Sequence, residues 1–408
     1  MIVARAGRVL LALIAGALAV ALLVACAGTH GSETFKVPDG IDEDGLRAHA
    51  VVKAQDRIRV AAAVPNDAET QAMFGVDLAA KGIQPLWLEI TNRGDRAFVF
   101  LPTGLDPEYF SPREAAFLFK GGLGDRGYRA LADYLESVSL NSRQPIRPGA
   151  TVSGIVYANR EVPTIAAAVE LVGENWSKRI NLLVPVPGTE SVQRRLEELG
   201  TIVRNQPTKT IADEAALRRA LEALPCCAAA EDGTTDGPPL NLVVIGDPGD
   251  VISSFAHSLY RYRPVSPMRA FGREQDLSGK RISRWVAPKP LVIRGWIAPL
   301  RFRGEPVLVL QASTPRGGRF APADALADDI DPRVDDARDA VIQEMLYSQS
   351  VSKLGFVRGA SGTRGSFPTD GLRAVVLIDA MPVSLSHIDF FDWERPGDVS
   401  EHRSESGE

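Results

Sequence analysis

Residues Leu10 to Val24 form an apolar run rich in Ala, Leu and Val, preceded by Arg5 and Arg8 and followed by Ala25 and Cys26. A positive start, a short apolar core and a small residue before a cut mark a secretory signal peptide. The run falls short of the ~20 apolar residues of a membrane-spanning helix. The rest of the chain is therefore expected to fold in an oxidising compartment, where free thiols do not persist. With 408 residues, at ~100–200 per domain, two or three domains are expected. Hydrophobic residues make up 45% and charged residues 24%, which excludes global disorder, collagen and a polytopic membrane protein. Lys+Arg is 46 against Asp+Glu 51, a net charge of −5, so no basic excess is available for a phosphate backbone. Nucleic acid is therefore not expected as a partner.

The segment Leu23-Val24-Ala25-Cys26 resembles the lipobox of bacterial lipoproteins. The resemblance implies that residues 1–25 are a signal peptide and that Cys26 is acylated by chains such as palmitate. Two or three acyl chains hold a protein stably on a membrane, where one is marginal. Ala27 follows the cysteine in place of Asp, which by the sorting pattern of such lipoproteins implies the outer membrane, facing the periplasm. Residues 26–45 are polar and Gly-containing, and are expected to form a flexible tether.

Residues 46–190 are punctuated like β structure. Asp56–Val64, Gln84–Ile90, Ala97–Leu101, Val152–Ala158, Ala166–Val172 and Arg179–Val184 read as strands. The second and third of these flank Thr91-Asn92-Arg93-Gly94-Asp95 and read as a hairpin. Asn66 or Asp67 is expected to cap a helical turn through Met73. Ser111-Pro112-Arg113-Glu114 is a capping box with Pro at the first helical position, and Tyr128–Val138 is amphipathic. Short strands with turns between them suggest a β-sandwich. The order of strands and turns resembles an immunoglobulin-like domain, carrying two inserted helices. Trp87, Tyr109, Phe110, Phe117 and Trp176 are expected in its core.

Residues 191–238 are expected to be a helical connector. Ser191–Leu199 reads as a charged helix ending at Gly200, and Thr210-Ile211-Ala212-Asp213-Glu214 starts a second helix that runs to Leu224. Pro225 stops it, and Cys226 and Cys227 follow. Adjacent cysteines can close on each other or pair between chains. A redox role is a further reading, whereas two adjacent sulfurs without a CxxC spacing make a poor zinc set.

Residues 239–390 alternate strands and helices, as an α/β domain does, and 391–408 reads as a polar, disordered tail. Leu240–Ile245 is a buried strand. The Gly246–Asp250 turn leads into a helix over Val251–Tyr260 with Asp250 as cap, and two aspartates there disfavour a bound anion. Pro264-Val265-Ser266-Pro267, Phe271-Gly272-Arg273, Gln275-Asp276, Arg294-Gly295-Trp296, Ile330-Asp331-Pro332-Arg333-Val334-Asp335 and Thr369-Asp370-Gly371 lie along this half. Together with the Leu224–Cys227 segment they resemble the LssY-like C-terminal domain family, over about residues 224–380. The resemblance implies no defined reaction and no specific substrate. Members of that family carry histidine pairs where this chain has Leu291-Val292-Ile293 and Asp328-Asp329. Its five histidines, His30, His49, His257, His387 and His402, make no close pair. The overall expectation is a multidomain α+β protein.

Asp331, Asp335 and Asp339 recur every four residues beside Arg338, and share a helix face if all are helical. Three readings follow: capping and solvation of a helix start, a Ca²⁺ or Mg²⁺ site, or an Arg–carboxylate network joining Arg273, Asp276, Arg294 and Asp331. His257 reads as a packed histidine. Two functions are expected on this basis. One is a membrane-anchored envelope lipoprotein that binds or scaffolds a protein or glycan. The other is a metal-dependent envelope hydrolase built on Asp331, Asp335 and Asp339.

Overall fold

The computed structural model describes residues 35–106, 108–160, 164–188, 190–229, 236–258, 260–262, 265–281, 290–318, 329–360 and 367–395. The expected signal peptide and Cys26 lie outside the described residues. The chain folds as a mixed α+β protein in which a β-sandwich precedes an α/β domain.

The sandwich opens with helix α1 (Glu43–Ala48), whose first turn Asp42 caps through Gly45 N. Phe35 and Ile41 pack against the core here, so the flexible tether expected over 26–45 gives way to packed chain by Phe35. Strands β1 (Val51–Gln55) and β2 (Ile58–Ala63) form a hairpin whose turn residues Asp56 and Arg57 both have positive φ. Such a turn usually carries Asn-Gly or Gly, which is why the sequence hides it. Helix α2 (Asp67–Phe74) starts at a capping box between Asn66 and Glu69. Strand β3 (Ile83–Asn92) pairs with β2 and with β5 (Thr151–Asn159), completing a four-stranded antiparallel sheet in the order β1-β2-β3-β5.

The expected hairpin after β3 is not formed. Strand β4 (Val99–Leu101) joins β6 (Thr164–Gly173) and β7 (Trp176–Pro185) in a second sheet instead. Asn92 makes this crossing possible: its Nδ2 donates to Arg96 O (2.7 Å) and Ile146 O (3.0 Å), which satisfies the backbone where the strand leaves its sheet. Ile58, Val60, Leu86, Leu88 and Ile90 of the first sheet pack against Ala167, Val169, Leu171, Ile180 and Leu182 of the second. Alternation turns Ala61, Trp87, Ile155 and Tyr157 to the opposite face. There they meet α2, α3 (Pro112–Phe117, with its Ser111–Glu114 capping box) and α4 (Lys120–Ser137). The helices thus form a third layer over one sheet. Gly154 lets the chain pass close: a Cβ there would lie 2.4 Å from the Leu140 backbone nitrogen. Phe117, expected in the core, is 58% exposed and meets Tyr128 edge-on, because its face of the short helix has no sheet beneath it.

The α/β domain is organised around a nine-stranded mixed sheet. Helix α5 (Glu190–Asn205) continues through Gly200 rather than ending there, and seats Leu199 in one core. Strand β8 (Lys209–Ile211) and helix α6 (Glu214–Glu222, capped by Asp213) follow. Then come β9 (Cys227–Ala229), β10 (Asp236–Pro239), β11 (Leu242–Ile245), α7 (Pro248–His257), β12 (Tyr260–Tyr262), β13 (Arg269–Ala270), β14 (Arg273–Glu274) and β15 (Leu277–Arg281). Strands β16 (Val292–Phe302) and β17 (Glu305–Ser313), helix α8 (Val334–Tyr347), and strands β18 (Val351–Arg358), β19 (Leu372–Ile378) and β20 (Asp389–Phe390) complete it. The main sheet runs β12-β15-β16-β17-β11-β19-β18-β20, with β8 added alongside β16.

Helices α5, α7 and α8 cover one face of this sheet through Leu199, Val251, Phe255, Ala337, Val341 and Met345. Helix α6 covers the other through Leu217 and Leu221. Residues 191–238, expected as a connector, therefore supply a strand and both kinds of covering helix. Helix α7 begins after Asp247, whose side chain caps Gly249 N and Asp250 N, with Pro248 at the first helical position. The cap is Asp247 and not Asp250, since proline's fixed φ suits the first turn. At the other end, Phe391 is buried and Trp393 stacks on it at 4.0 Å, so packed chain extends past the expected tail boundary at 391.

Candidate functional site

Strand register sets polar side chains side by side in the main sheet. Ser278, Arg294 and Gln311 are direct neighbours on β15, β16 and β17. Arg294 and Gln311 are fully buried. Arg294 Nη1 donates to Gln311 Oε1 (3.0 Å), and its Nε donates to Ser266 O (3.3 Å). A guanidinium only donates, so the amide oxygen of Gln311 must face it. That leaves Gln311 Nε2 without a hydrogen-bond acceptor, as is Ser313 Oγ further along the strand without a partner.

Arg273 and Asp276 form a separate pair. Nη2 meets Oδ2 at 2.8 Å and Nε meets Oδ1 at 3.1 Å. The same carboxylate accepts from Ile297 N (2.8 Å) and is 4% exposed, so it staples the β14–β15 turn to β16. The Trp296 indole donates to Arg273 O (3.3 Å).

Asp331 joins neither group. Pro332 restricts it to extended backbone, its N–H donates to Thr314 O (2.8 Å), and its Oδ1 accepts from Arg333 N (3.0 Å). Helix α8 begins only at Val334, so Asp331, Asp335 and Asp339 do not share a helix face. The expected four-member network resolves into Arg273–Asp276, Arg294–Gln311 and an Asp331 that pairs locally with Arg333.

Arg338 is the centre of a third unit. Its side chain is 1% exposed. Nη1 and Nη2 meet the two oxygens of Asp370 at 2.9 Å each, Nε meets Asp339 Oδ1 at 2.8 Å, and Nη1 also donates to Leu372 O (2.9 Å). Asp335 accepts from Thr369 Oγ1 (2.9 Å) and Asp370 N (2.7 Å), and lies 3.5 Å from Arg338 Nη1. Burial opposes the Arg338 charge, but the bonds to Asp370 and Asp339 outweigh it and raise its pKa. Burial raises the Asp335 carboxyl despite the Asp370 N–H and Arg338. This unit locks the start of α8 to the Thr369-Asp370-Gly371 turn. Among the described residues, no group of three or more His, Cys, Asp or Glu is placed to hold a metal ion.

Sequence reading missed Arg373. It is fully buried on β19 and donates to Leu240 O, Leu221 O and Pro225 O at 2.7 Å and to Gly359 O at 3.1 Å. Burial pulls its pKa down to about 10. A single charge inside the apolar strand Leu372–Ile378 was the available signal. The carbonyl of Pro225 adjoins Cys226, which forms a disulfide with Cys227.

The two domains meet where α7 packs on β6 and β7. Asn181 Nδ2 donates to Asp250 Oδ1 (2.8 Å), and Arg179 Nη1 reaches Ser350 Oγ (3.4 Å). Beside these contacts lies a cavity of about 390 Å³. The sandwich contributes Glu170 and Arg179, and the second domain contributes His257, Glu344, Tyr347 and Gln349. Arg179 is 4% exposed, with its Nε 2.8 Å from Glu170 Oε1. His257 is the last residue of α7 and is half-buried at the edge of this cleft.

Residues 251–372 match the family model described as LssY C-terminus. The C-terminal part of this chain is similar to that family. The LssY C-terminus match begins within α7 and ends at the first residue of β19. It therefore contains the Arg273–Asp276 pair, Arg294, the Arg338 unit and the second domain's side of the cleft. No curated protein matches the chain. Among the described residues, no helix is long and apolar enough to cross a membrane.

Proposed function

We propose that the chain is a lipid-anchored lipoprotein of the cell envelope, held at Cys26 on the periplasmic face of the outer membrane, that binds a partner. One observation carries the binding role. Arg273, Arg338 and Arg373 are engaged with internal acceptors, whereas a polar cleft of about 390 Å³ is open where the two domains meet. Ligand sites favour such domain boundaries. The Cys226–Cys227 disulfide is in keeping with an oxidising envelope. The metal-dependent hydrolase is the weaker reading, because Asp335 and Asp339 face Arg338 and Asp331 stands apart.

Labelled palmitate tests the anchor. The native protein is expected to take up label and to fractionate with outer membranes, and Cys26→Ser is expected to lose both. Unchanged labelling of Cys26→Ser refutes the anchor. Crosslinking in intact envelopes is expected to capture a partner on the native protein, less so when the cleft is altered.

A further inference from the structure

The interdomain cleft has a chemistry of its own, independent of the anchor. Its volume of about 390 Å³ lies at the small end of ligand pockets, which run from roughly 300 to 1,000 Å³. Its lining is polar and planar: the Glu170 and Glu344 carboxylates, the Arg179 guanidinium, the His257 imidazole and the Gln349 amide. One arginine stands against two glutamates, so the site carries no positive excess to draw a phosphate or a carboxylate. The lining does supply donors and acceptors side by side, the pattern that matches hydroxyl groups, each of which donates and accepts.

Two further features point the same way. Tyr347, the last residue of α8, lines the cleft with 78% of its surface exposed. An exposed ring at the mouth of a polar cleft offers a flat apolar face for the C–H face of a sugar. Gln349 has φ +57°, a left-handed conformation that non-glycine residues seldom adopt. It is fixed there on both sides, with its N–H donating to Leu346 O (3.0 Å) and its carbonyl accepting from Val383 N (2.8 Å). Arg179 is held by Glu170, and the two domains are joined by Asn181 and Asp250. The Glu170–Arg179 pair and the backbone at Gln349 are thus set before any ligand arrives, which lowers the ordering cost of binding.

We propose that this cleft is a saccharide-binding site, taking a short neutral glycan segment whose hydroxyls meet Glu170, Glu344 and Gln349 and whose ring stacks on Tyr347. This names the ligand class for the binding role proposed above and rests on it. The measurement is made in detergent on the full chain, so it does not depend on where the protein is anchored. Palmitate labelling reports on the anchor separately.

The test is calorimetric titration with the neutral oligosaccharides chitotetraose, cellotetraose and maltotetraose. At least one is expected to bind with a Kd of about 1 mM or tighter. Tyr347→Ala and Gln349→Gly are each expected to weaken that Kd about ten-fold, while Phe390→Ala, exposed away from the cleft, leaves it unchanged. Glycine keeps the positive φ at 349, so that variant removes the amide while preserving the backbone. Circular dichroism confirms folding of each variant. The proposal is overturned if no saccharide binds at about 10 mM, or if Tyr347→Ala and Gln349→Gly both bind as the native protein does. Capture of a protein through the cleft, with no saccharide bound, overturns it equally.

Discussion

Removing Asp370 tests whether the Arg338 unit is a structural lock. The Arg338 side chain is 1% exposed, and Asp370 supplies two of its charge-assisted bonds, each 2.9 Å long. Asp370 also caps Leu372 N at 2.8 Å. Breaking one partner of a buried ion pair costs about 3–5 kcal/mol, because the other charge stays buried. Asp339 and the Leu372 carbonyl remain on Arg338, which places Asp370→Ala at the lower end, about 3 kcal/mol. For a domain of 150–250 residues that corresponds to a Tm loss of roughly 6–12 °C. The assay is calorimetric or urea unfolding of the native protein, Asp370→Ala, Arg338→Met and the double variant. Arg338→Met removes the charge together with its partners' need for it. The double variant is therefore expected to fall short of the sum of the singles by about 2 kcal/mol. Additivity within about 0.5 kcal/mol, or a loss under about 1 kcal/mol for Asp370→Ala, refutes the lock.

Arg373→Met removes the guanidinium donor from four carbonyls, of which Leu221 O keeps Leu224 N, and is expected to cost about 3 kcal/mol by chemical denaturation. Gly154→Ala drives a Cβ to 2.4 Å from the Leu140 nitrogen, so the β5 edge must shift, and a lowered Tm with unchanged far-ultraviolet dichroism is expected. Burial first, then Asp247 and Asp250, raise the Glu305 carboxyl. The folded state thus binds its proton more readily than the unfolded one, and the penalty grows as pH rises past the ordinary carboxylate range. Glu305→Gln is expected to be more stable than the native protein at pH 7 by a few tenths of a kcal/mol, a gap that closes toward pH 4 in a pH series of melts. Thiol titration of the denatured native protein is expected to find Cys226 and Cys227 unreactive until a reductant is added. Immediate reaction of both refutes the bond in solution.

Local signals were legible wherever a few neighbouring residues decide the outcome. The capping box at Ser111 opens a helix as its spacing implies, and of Asn66 and Asp67 it is Asn66 that caps the earlier one, since each cap is satisfied within three residues. The later strands of the sandwich and the buried strand expected over Leu240–Ile245 fall where the alternation or apolar run predicts. The adjacent cysteines close on each other. The motifs around residues 251–372 carry the family likeness without the fold.

Pairing and burial were not legible, because they depend on residues far apart in the chain. Nothing near Asn92 says that β4 leaves its neighbour for another sheet, since Asn92 is satisfied partly by Ile146, 54 positions away. Arg338 and Asp339 could be recognised as neighbours, but Asp370 completes the unit from 32 positions on. Pro332 blocks the helix that would have aligned Asp331 with Asp335. Arg373 looks like one charge in a strand until the carbonyls of Leu221, Pro225, Leu240 and Gly359 converge on it. The cleft belongs to no single stretch, as Arg179 and Gln349 meet only when α7 docks on β6 and β7. Sequence alone determined the local elements and the likeness of the second domain. The tertiary structure decided which charges are consumed internally and which surface stays open, because desolvation and hydrogen bonding act on distance in space and not along the chain.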